Sequence, residues 1–421
     1  MSALLLLGLV LALLVLRQPL LVILLAVAAA VQMIWGRGQL DYIIEDIWVG
    51  LDKELILSIP LFMLCGSVMT RGTTARRLIA IMEALTRRLP GGLGVACVLT
   101  CALFASISGS SIVTMLAVGS VMYPAMTAAG YDKRFSLGAV MAGGTLGILI
   151  PPSIPMILYG LVTETSITDL FLAGVGPGLL LTGLFAAYAM WVNRRMPTQR
   201  FSLADLGHAL REGVWSLMTP VILLGGIYSG FFTTTEAAAV GLLYALLIEV
   251  FVHRTFDLRD FRHVVLETSK LGGSLFPVLA VALSLNIVLI EHRVPSQMVD
   301  FVQGYIGSAA TFMVVVNVLL LLVGCLMTTG EAILVLAPLL APVAEAFGYD
   351  RVAFGLIMIL NLEIGFLTPP VGLNLIVAMT AFKEPFGLLC RAALPFVLLM
   401  LCALALVVVE PRIAMFLVRG G

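Results

Sequence analysis

Long apolar segments dominate this chain and limit the ways in which it can fold. Of its 421 residues, 61% are hydrophobic and 11% are charged. A soluble domain carries about 25% charged residues, and a run of roughly 18 apolar residues is long enough to span a bilayer. The sequence therefore predicts an all-α, polytopic membrane protein.

Charge and cysteine content exclude several other classes of function. The chain has 24 basic and 24 acidic side chains, which gives no indication of a nucleic-acid partner. The six cysteines lie in apolar segments without a neighbouring histidine, so packing is favoured over transition-metal binding. The first apolar run, 1–16, lacks a basic start and a small-residue cleavage site, and is predicted to be a retained helix.

The placement of lysine and arginine indicates how the apolar runs cross the membrane, because short cytoplasmic loops carry an excess of both. When the four main basic clusters are all placed in the cytoplasm, 92–129 and 310–347 must each enter and leave on one face. This threading predicts about ten transmembrane helices plus two re-entrant hairpins. Both termini are then outside, and 18 of the 24 Lys and Arg are inside. The fourteen runs lie near 1–16, 19–35, 55–70, 92–107, 112–129, 136–163, 168–193, 214–232, 233–252, 268–290, 310–327, 331–347, 352–382 and 386–410.

One motif occurs twice, 218 positions apart. "GYDKRFSLGAVMAGGTLGILIPPS" begins at Gly130 and "GYDRVAFGLIMILNLEIGFLTPPV" begins at Gly348. The same offset maps Ser110-Ser111 onto Thr328-Thr329. Each unit is predicted to be a hairpin, a turn and a helix broken by a Pro-Pro pair, and the threading places the two units on opposite faces. Such inverted repeats are typical of secondary transporters, which bind substrate and coupling ions near the membrane midplane.

The two repeats predict a division of the chain into five parts. The parts are scaffold helices 1–91; a first transport repeat 92–167, with hairpin 92–129 and broken helix 136–163; central scaffold helices 168–309; a second transport repeat 310–383, with hairpin 310–347 and broken helix 352–382; and a C-terminal helix 384–421.

The proline pairs suggest a chemical role for the breaks. Proline cannot donate a backbone hydrogen bond, so the carbonyls of Gly147, Ile148, Gly365 and Phe366 are expected to lose their partners. Free carbonyls and hydroxyls are hard oxygen ligands, which suit a small cation such as Na⁺ near the negative end of a half-helix. The hydroxyls and amides available for this role belong to Ser108, Ser110, Ser111, Thr145, Ser153, Thr328, Thr329, Thr368, Asn361 and Asn374.

The half-helix N-termini after the breaks and hairpin tips are expected to face an anionic substrate group. An alternative stays open for each hydroxyl, because a membrane serine or threonine often bonds to its own helix. Glu363 has two open roles, a functional acid or a protonated structural group. Asp132 and Asp350 are interpreted as capping or turn residues. The predicted substrate contacts are Ser110, Pro152, Ser153, Pro370 and Asn374.

Several segments resemble the DctM-type large membrane subunit of tripartite ATP-independent periplasmic (TRAP) transporters. They include "SGSSIVTMLAVGSVMYPAM", "GGTLGILIPPSIPMILYG", "GGIYSGFFTTTEAAAVGLLYALL" and "NLEIGFLTPPVGLNL". The matching segments extend over nearly the whole chain. Taken together, they are far more specific than composition alone.

The resemblance implies an elevator-type secondary transporter in a bacterial inner membrane, with Na⁺-driven uptake of a small organic acid and no cofactor besides the coupling ion. It implies two partners, a small four-helix DctQ-type membrane subunit and a soluble DctP-type periplasmic protein that binds and delivers the substrate. Cation sites of the family use hairpin tips and broken helices. On this chain, the matching positions are Ser108, Gly109, Ser110, Ser111, Gly144, Thr145, Gly147, Asn361, Gly365 and Thr368.

The sequence departs from the family pattern at two places. The family often has an acid directly after the methionine of the second hairpin tip, where this chain has Thr328, and the nearest acid is Glu331. This departure leaves the ligands of the second ion site open, with Thr328 and Thr329 as candidates. The second departure is Thr233-Thr234-Thr235-Glu236-Ala237 in place of "TPTEA", and it is expected to affect only the start of a helix.

Other functional classes fit the sequence less well. A serine protease needs a histidine near Ser110, and the four histidines are expected in loops. An aspartyl dyad would need Asp132 and Asp350 on one face of the membrane. A channel does not require inverted repeats with broken helices. A stand-alone Na⁺/dicarboxylate carrier shares the predicted architecture and stays open as the main alternative.

Overall fold

Helices make up the regular secondary structure of this protein. The structure is a computed structural model that describes residues 8–9, 12–13, 15–16, 18–34, 40–198 and 200–418, and these ranges contain no strand. The predicted helix 1–16 falls largely outside the described residues. The helices are α1 Leu20–Ile34, α2 Asp41–Leu51, α3 Ser58–Arg71, α4 Thr74–Thr86, α5 Gly92–Ser108, α6 Ser111–Ala128, α7 Lys133–Leu149, α8 Ile154–Thr163, α9 Ile167–Val192, α10 Leu203–Tyr228, α11 Thr234–Leu247, α12 Leu258–Glu291, α13 Val294–Tyr305, α14 Ala309–Gly324, α15 Thr329–Ala346, α16 Arg351–Phe366, α17 Leu373–Phe382, α18 Phe386–Val409 and α19 Arg412–Met415.

The described helices are long enough to cross a membrane several times. Within these ranges, eight helical segments have the length and apolar character of a span, and a ninth is reached if α13 and α14, bent by 115°, count together. Two of the eight, α6 and α15, are arms of the predicted hairpins. The prediction of an all-α polytopic membrane protein is confirmed.

Several helices extend beyond the apolar runs, because polar caps stabilise their first turns. α10 begins where Ser202 accepts a hydrogen bond from the Asp205 N–H. α12 begins with a capping box between Asp257 and Asp260 and reaches 34 residues. An additional helix, α13, lies in the segment predicted to connect the central scaffold to the second hairpin.

The expectation that all four histidines lie in loops is wrong for two of them. His208 and His263 lie within α10 and α12, on the polar N-terminal segments that extend these helices beyond the apolar runs. Both side chains are exposed, and each lies near a glutamate one turn further along its own helix. Neither histidine is therefore positioned to activate a buried serine.

The same turn connects the hairpin to the broken helix in both repeats. Gly130 and Gly348 both adopt left-handed conformations, with φ of +85° and +87°. Asp132 then accepts hydrogen bonds from the backbone at the start of α7, and Asp350 does so at the start of α16. The interpretation of both aspartates as capping residues is confirmed.

The two broken helices run antiparallel. Lys133, at the start of α7, forms an ion pair of 2.8 Å with Glu384, which follows the end of α17. Arg351, at the start of α16, donates to the carbonyl of Thr163, at the end of α8, over 3.4 Å. Each broken helix thus begins where the other ends, which is the arrangement that inverted repeats require.

Two ion pairs connect the first basic cluster of the sequence to the starts of later helices. Arg71 lies 2.8 Å from Asp260, and Arg87 pairs with Asp205. The first contact joins the end of α3 to the first turn of α12, and the second joins the segment after α4 to the first turn of α10.

The breaks differ in length between the repeats. Residues 150–153 separate α7 from α8, whereas residues 367–372 separate α16 from α17. Both contain a cis Pro-Pro peptide, at Pro151-Pro152 and Pro369-Pro370. The offset of 218 therefore holds up to the proline pairs, and α17 starts one position later than this offset predicts.

Candidate functional site

The tip of the first hairpin packs against the first helix break. α5 ends at Ser108, Gly109 is left-handed with φ of +59°, and Ser110 is extended before α6 begins. The Ile154 N–H donates to the Gly109 carbonyl over 3.4 Å. A Cβ at Gly147 would collide with the Ser110 carbonyl, so a glycine is needed for α7 to approach the tip this closely.

The tip of the second hairpin meets the second break in a corresponding way. The Gly372 N–H donates to the Cys325 carbonyl over 3.2 Å. Thr328 accepts a hydrogen bond from the Glu331 N–H, and the Glu331 carboxylate accepts one from the Thr328 N–H. The acid nearest to this tip in sequence is thus half of a capping box that stabilises the start of α15.

A hydrogen bond joins the two repeats at the centre of the site. Asn374 Nδ2, in α17, donates to Ser111 Oγ over 2.5 Å and lies 3.4 Å from Glu363 Oε1. The relative exposures of Asn374, Ser111 and Glu363 are 0%, 1% and 2%. The Thr329 hydroxyl of the second tip also borders the Glu363 carboxyl. Both hairpin tips and both halves of the second broken helix therefore meet around one carboxyl group.

Several buried oxygens around this centre have no hydrogen-bond donor among the described residues. They are Glu363 Oε2, Asn374 Oδ1 and Thr329 Oγ1, together with Ser153 Oγ at the first break. Buried polar atoms are nearly always paired, since an unpaired one costs about 1–3 kcal/mol. Oxygens grouped in this way provide the ligand type that a small hard cation uses.

Three half-helix N-termini at the site lack a side-chain cap. The first turns of α6, α8 and α17 follow Ser110, Ser153 and Gly372, and none of these residues caps its helix through its side chain. Uncapped N–H groups and the positive end of the helix dipole favour an anion. The hairpin tips and breaks thus combine candidate cation ligands with candidate anion-binding termini.

Three predicted cation ligands use their hydroxyls within their own repeat. Thr145 Oγ1 donates to the Ala142 carbonyl over 2.6 Å, and Thr368 Oγ1 donates to the Ile364 carbonyl over 2.7 Å. Ser108 Oγ lies 2.6 Å from Thr114 Oγ1, inside the first hairpin. For Thr145 and Thr368, the structure shows the alternative in which a hydroxyl bonds to its own helix.

The expectation that Gly365 loses its hydrogen-bond partner is wrong. The Thr368 N–H donates to the Gly365 carbonyl over 2.9 Å, because the chain makes a further turn before the proline pair. Gly365 serves close packing instead, since a Cβ there would collide with the backbone of Gly324. At the first break, among the described residues, no donor from outside α7 reaches the carbonyls of Gly147 or Ile148.

Asn361 has a partner that the sequence did not indicate. Asn361 Nδ2 donates to the carbonyl and to Oδ1 of Asn317, over 3.0 and 2.6 Å. Asn317 lies in α14, where it is the one amide among mostly apolar residues, and this is the only signal in the sequence that could have identified it. Asn361 Oδ1 has no donor among the described residues and stays available as a ligand.

The two breaks differ in exposure. Pro151, Pro152 and Ser153 are buried, whereas Pro369 and Pro370 are exposed. Pro152 and Pro370 were predicted as equivalent substrate contacts, and in this conformation they lie in different environments.

A cavity of about 290 Å³ lies beside the second tip and break, lined in part by Gln18, Met327, Thr328, Glu331, Val371 and Leu373.

Antiparallel broken helices, each with a hairpin against its break, define a membrane transporter fold. The fold resembles that of the YdaH transporter from Alcanivorax borkumensis, with a TM-score of 0.63 over 87% of this chain and 86% of that one, at 12% sequence identity. At that identity, the likeness concerns the fold alone.

Sequence comparison identifies the family. Residues 7–413 match the model of the "Tripartite ATP-independent periplasmic transporter, DctM component". The C4-dicarboxylate TRAP transporter large permease protein DctM of Pseudomonas aeruginosa is 43% identical over 366 residues, 86% of each chain. The isethionate TRAP transporter permease protein DctMQ of Oleidesulfovibrio alaskensis is 37% identical over 385 residues, 90% of this chain and 61% of that one. The chain belongs to the DctM family and is a large permease subunit of the TRAP type.

Proposed function

We propose that this chain carries a small organic acid across the bacterial inner membrane, with Na⁺ moving down its gradient as the driving force. The observation that carries this proposal is the buried contact between Asn374 and Ser111, which joins the two repeats. Around it lie oxygens without donors, as a dehydrated cation would require. A cation bound there would be contacted by both repeats and would stabilise their closed arrangement.

An anionic substrate is supported by the helix termini. The uncapped first turns of α6 and α17, which contain Ser111 and Asn374, present N–H groups near the same centre. A carboxylate would accept hydrogen bonds from such N–H groups and would be stabilised by the helix dipoles. The names of two relatives, which refer to a C4-dicarboxylate and to isethionate, agree with an organic anion.

The elevator mechanism and the partners belong to the same proposal. The two hairpins with their broken helices would move as one body against the scaffold helices and expose the centre to each side in turn. A small DctQ-type membrane subunit and a periplasmic DctP-type binding protein would complete the system, and the name DctMQ of the longer relative is consistent with a Q-type partner. Both termini of this chain would face the periplasm.

Uptake into proteoliposomes tests the proposal. The chain, its membrane partner and the binding protein would be combined with a radiolabelled C4-dicarboxylate under an inward Na⁺ gradient. We expect accumulation above the external concentration, which ceases when the Na⁺ gradient is dissipated. Passive flux that is independent of Na⁺ would contradict the transporter. Accumulation without the binding protein would favour the stand-alone carrier.

A matched pair of variants tests whether the centre around Ser111 and Asn374 determines the Na⁺ dependence of uptake. Ser111→Ala removes the hydroxyl that Asn374 contacts, whereas Thr380→Ala removes an exposed hydroxyl on α17 that bonds to its own helix. We expect Ser111→Ala to raise the Na⁺ concentration for half-maximal uptake at least about tenfold, which corresponds to roughly 1.4 kcal/mol. Thr380→Ala should leave this value unchanged.

A further inference from the structure

A second cavity of about 290 Å³ lies between the predicted scaffold helices and the predicted transport repeats. α12 and the start of α13 line it from the scaffold, whereas α8, α15 and the start of α16 line it from the repeats. The residues of the buried centre do not line it, and neither do those of the cavity beside the second tip. The threading predicts that it lies at the outer end of the helices, because both ends of the second hairpin are placed outside.

Three ionisable side chains line this cavity. They are Arg293 from the scaffold, and Arg351 and Glu164 from the repeats. The Arg293 guanidinium and the Glu164 carboxylate have no ion-pair partner among the described residues. Arg293 and Glu164 also have left-handed backbones, with φ of +54° and +55°, which is uncommon for residues other than glycine. Arg293 therefore brings an unpaired positive charge to the cavity.

Arg351 is held in place and still has free donors. Its Nε donates to Glu345 Oε2 over 2.7 Å, and its Nη1 donates to the Thr163 carbonyl over 3.4 Å. Its Nη2 has no acceptor in the part of the chain that the structure describes. Since Glu345 offsets much of the charge of Arg351, the principal cation of the cavity is Arg293, and Arg351 adds hydrogen-bond donors. Guanidinium groups bind planar oxyanions through charge-assisted hydrogen bonds.

The first turn of α13 adds to the preference for an anion. Pro295 and Ser296 of this turn line the cavity, and the helix has no side-chain cap at its start. The positive end of the helix dipole therefore lies on the same side as the Arg293 guanidinium. Small-molecule pockets have volumes of about 300–1,000 Å³, so the cavity has room for a small organic acid and little more.

We propose that this cavity is an entry site, which binds the carboxylate or sulfonate group of the substrate before it reaches the buried centre. Arg293 is the main anion-binding group, and Arg351 contributes donors from the repeats. Glu164 repels the anion and keeps the binding weak, because a site on a transport route must also release what it binds. The proposal rests on the organic-acid transport proposed above.

Protection of an introduced cysteine measures whether the cavity is occupied. Ser296→Cys places a thiol in the lining, in a background where the accessible Cys390 and Cys402 are replaced by serine. The purified full chain is labelled with N-ethylmaleimide in choline buffer without Na⁺, with succinate or its neutral analogue succinamide as the probe. We expect labelling to slow about threefold at a succinate concentration of roughly twice its Kd, because only the unoccupied fraction reacts. Succinamide should have no effect.

Charge variants in this background should act with opposite signs, which loss of structure would not produce. Arg293→Gln should weaken succinate protection about tenfold, because a hydrogen-bonded charge is lost. Glu164→Gln should strengthen it about two- to fivefold, because the repulsion between two exposed charges is removed. Gly304→Cys is the control position on the same helix, since its Cβ would meet no atom within 4 Å and it does not line the cavity. Its labelling should be independent of succinate.

Uptake into proteoliposomes gives a second measurement that needs no added cysteine. Arg293→Gln should raise the substrate concentration for half-maximal uptake and leave the Na⁺ concentration for half-maximal uptake unchanged, and Arg293→Lys should restore most of the loss. Equal labelling of Ser296→Cys with succinate and succinamide, or wild-type uptake by Arg293→Gln, would overturn the entry site. Absence of any Na⁺-driven uptake by the wild type would instead contradict the proposed function, since the labelling assay contains no Na⁺.

Discussion

Asn374 donates a hydrogen bond of 2.5 Å to Ser111, a residue 263 positions earlier in the chain. The bond connects the half-helix after the second break to the tip of the first hairpin. Both residues are fully buried, so little solvent competes with the bond. The two inverted repeats therefore share a polar centre instead of forming two independent sites.

The proline pair of the first break is expected to be required for transport but not for assembly. In Pro151→Ala with Pro152→Ala, the restored N–H groups can bond to the Gly147 and Ile148 carbonyls, and α7 can continue toward α8. We predict loss of uptake with an unchanged elution volume in size-exclusion chromatography. Uptake at the wild-type rate by a folded double variant would refute a role for the break.

Gly147→Ala tests the close approach of α7 to the first hairpin tip. The added methyl group would collide with the Ser110 carbonyl and Thr114 Oγ1. The clash with Ser110 can be relieved only by a shift of the backbone, because its carbonyl cannot rotate away as a flexible side chain can. We predict a destabilisation of about 1–3 kcal/mol and a higher half-maximal Na⁺ concentration. Gly183→Ala is the matched control, because its Cβ would meet no atom within 4 Å, and it should preserve both properties.

Glu249 stabilises the start of α4 from a distant part of the scaffold. Its buried carboxylate accepts hydrogen bonds from the backbone N–H groups of Thr73 and Thr74 over 3.1 Å, and from the hydroxyls of Thr73, Thr74 and Thr255. We predict that Glu249→Gln lowers the free energy of unfolding by about 1–3 kcal/mol, because an amide group cannot accept all of these bonds. Thermal unfolding measures the effect. Glu267→Gln, at an exposed site, should leave the melting temperature unchanged.

His253, beside this cluster, predicts a pH dependence of stability. Burial lowers the pKa of His253, and Arg77 acts in the same direction, while Glu249 opposes the shift. The folded state binds fewer protons here than the unfolded state does. The stabilisation is therefore complete above roughly pH 6.5 and is lost as the pH falls through the lowered pKa. We expect His253→Gln to reduce the loss of melting temperature between pH 7.5 and pH 5.5. An unaltered pH profile would contradict this assignment, and His208→Gln is the exposed control.

The sequence predicts best those features that depend on local interactions. The turns at Gly130 and Gly348 and the caps at Asp132 and Asp350 need only neighbouring residues, and the structure contains all four. Thr233 likewise begins its helix with a capping box to Glu236, as expected for a departure that concerns only a helix start. Local chemistry therefore identified these turns and the helix starts that follow them.

Features that depend on tertiary contacts were predicted less well. The hydroxyl of Thr145 bonds to its own helix, whereas that of Ser111 faces Asn374, and residue type alone does not distinguish the two. The Gly365 carbonyl finds a donor only because the second break is longer than the first. The sequence left two roles open for Glu363, a functional acid or a protonated structural group, because its position between the hairpin tips follows from tertiary packing and not from sequence spacing.

The central claim is that both repeats build one Na⁺-dependent centre, and a double-mutant cycle tests it most directly. The Na⁺ concentration for half-maximal uptake would be measured for the wild type, Ser111→Ala, Asn374→Ala and the double variant. Residues that act together give non-additive effects, so we predict a coupling energy of at least about 1 kcal/mol. Strictly additive effects, or an unchanged Na⁺ dependence in all three variants, would contradict a shared centre.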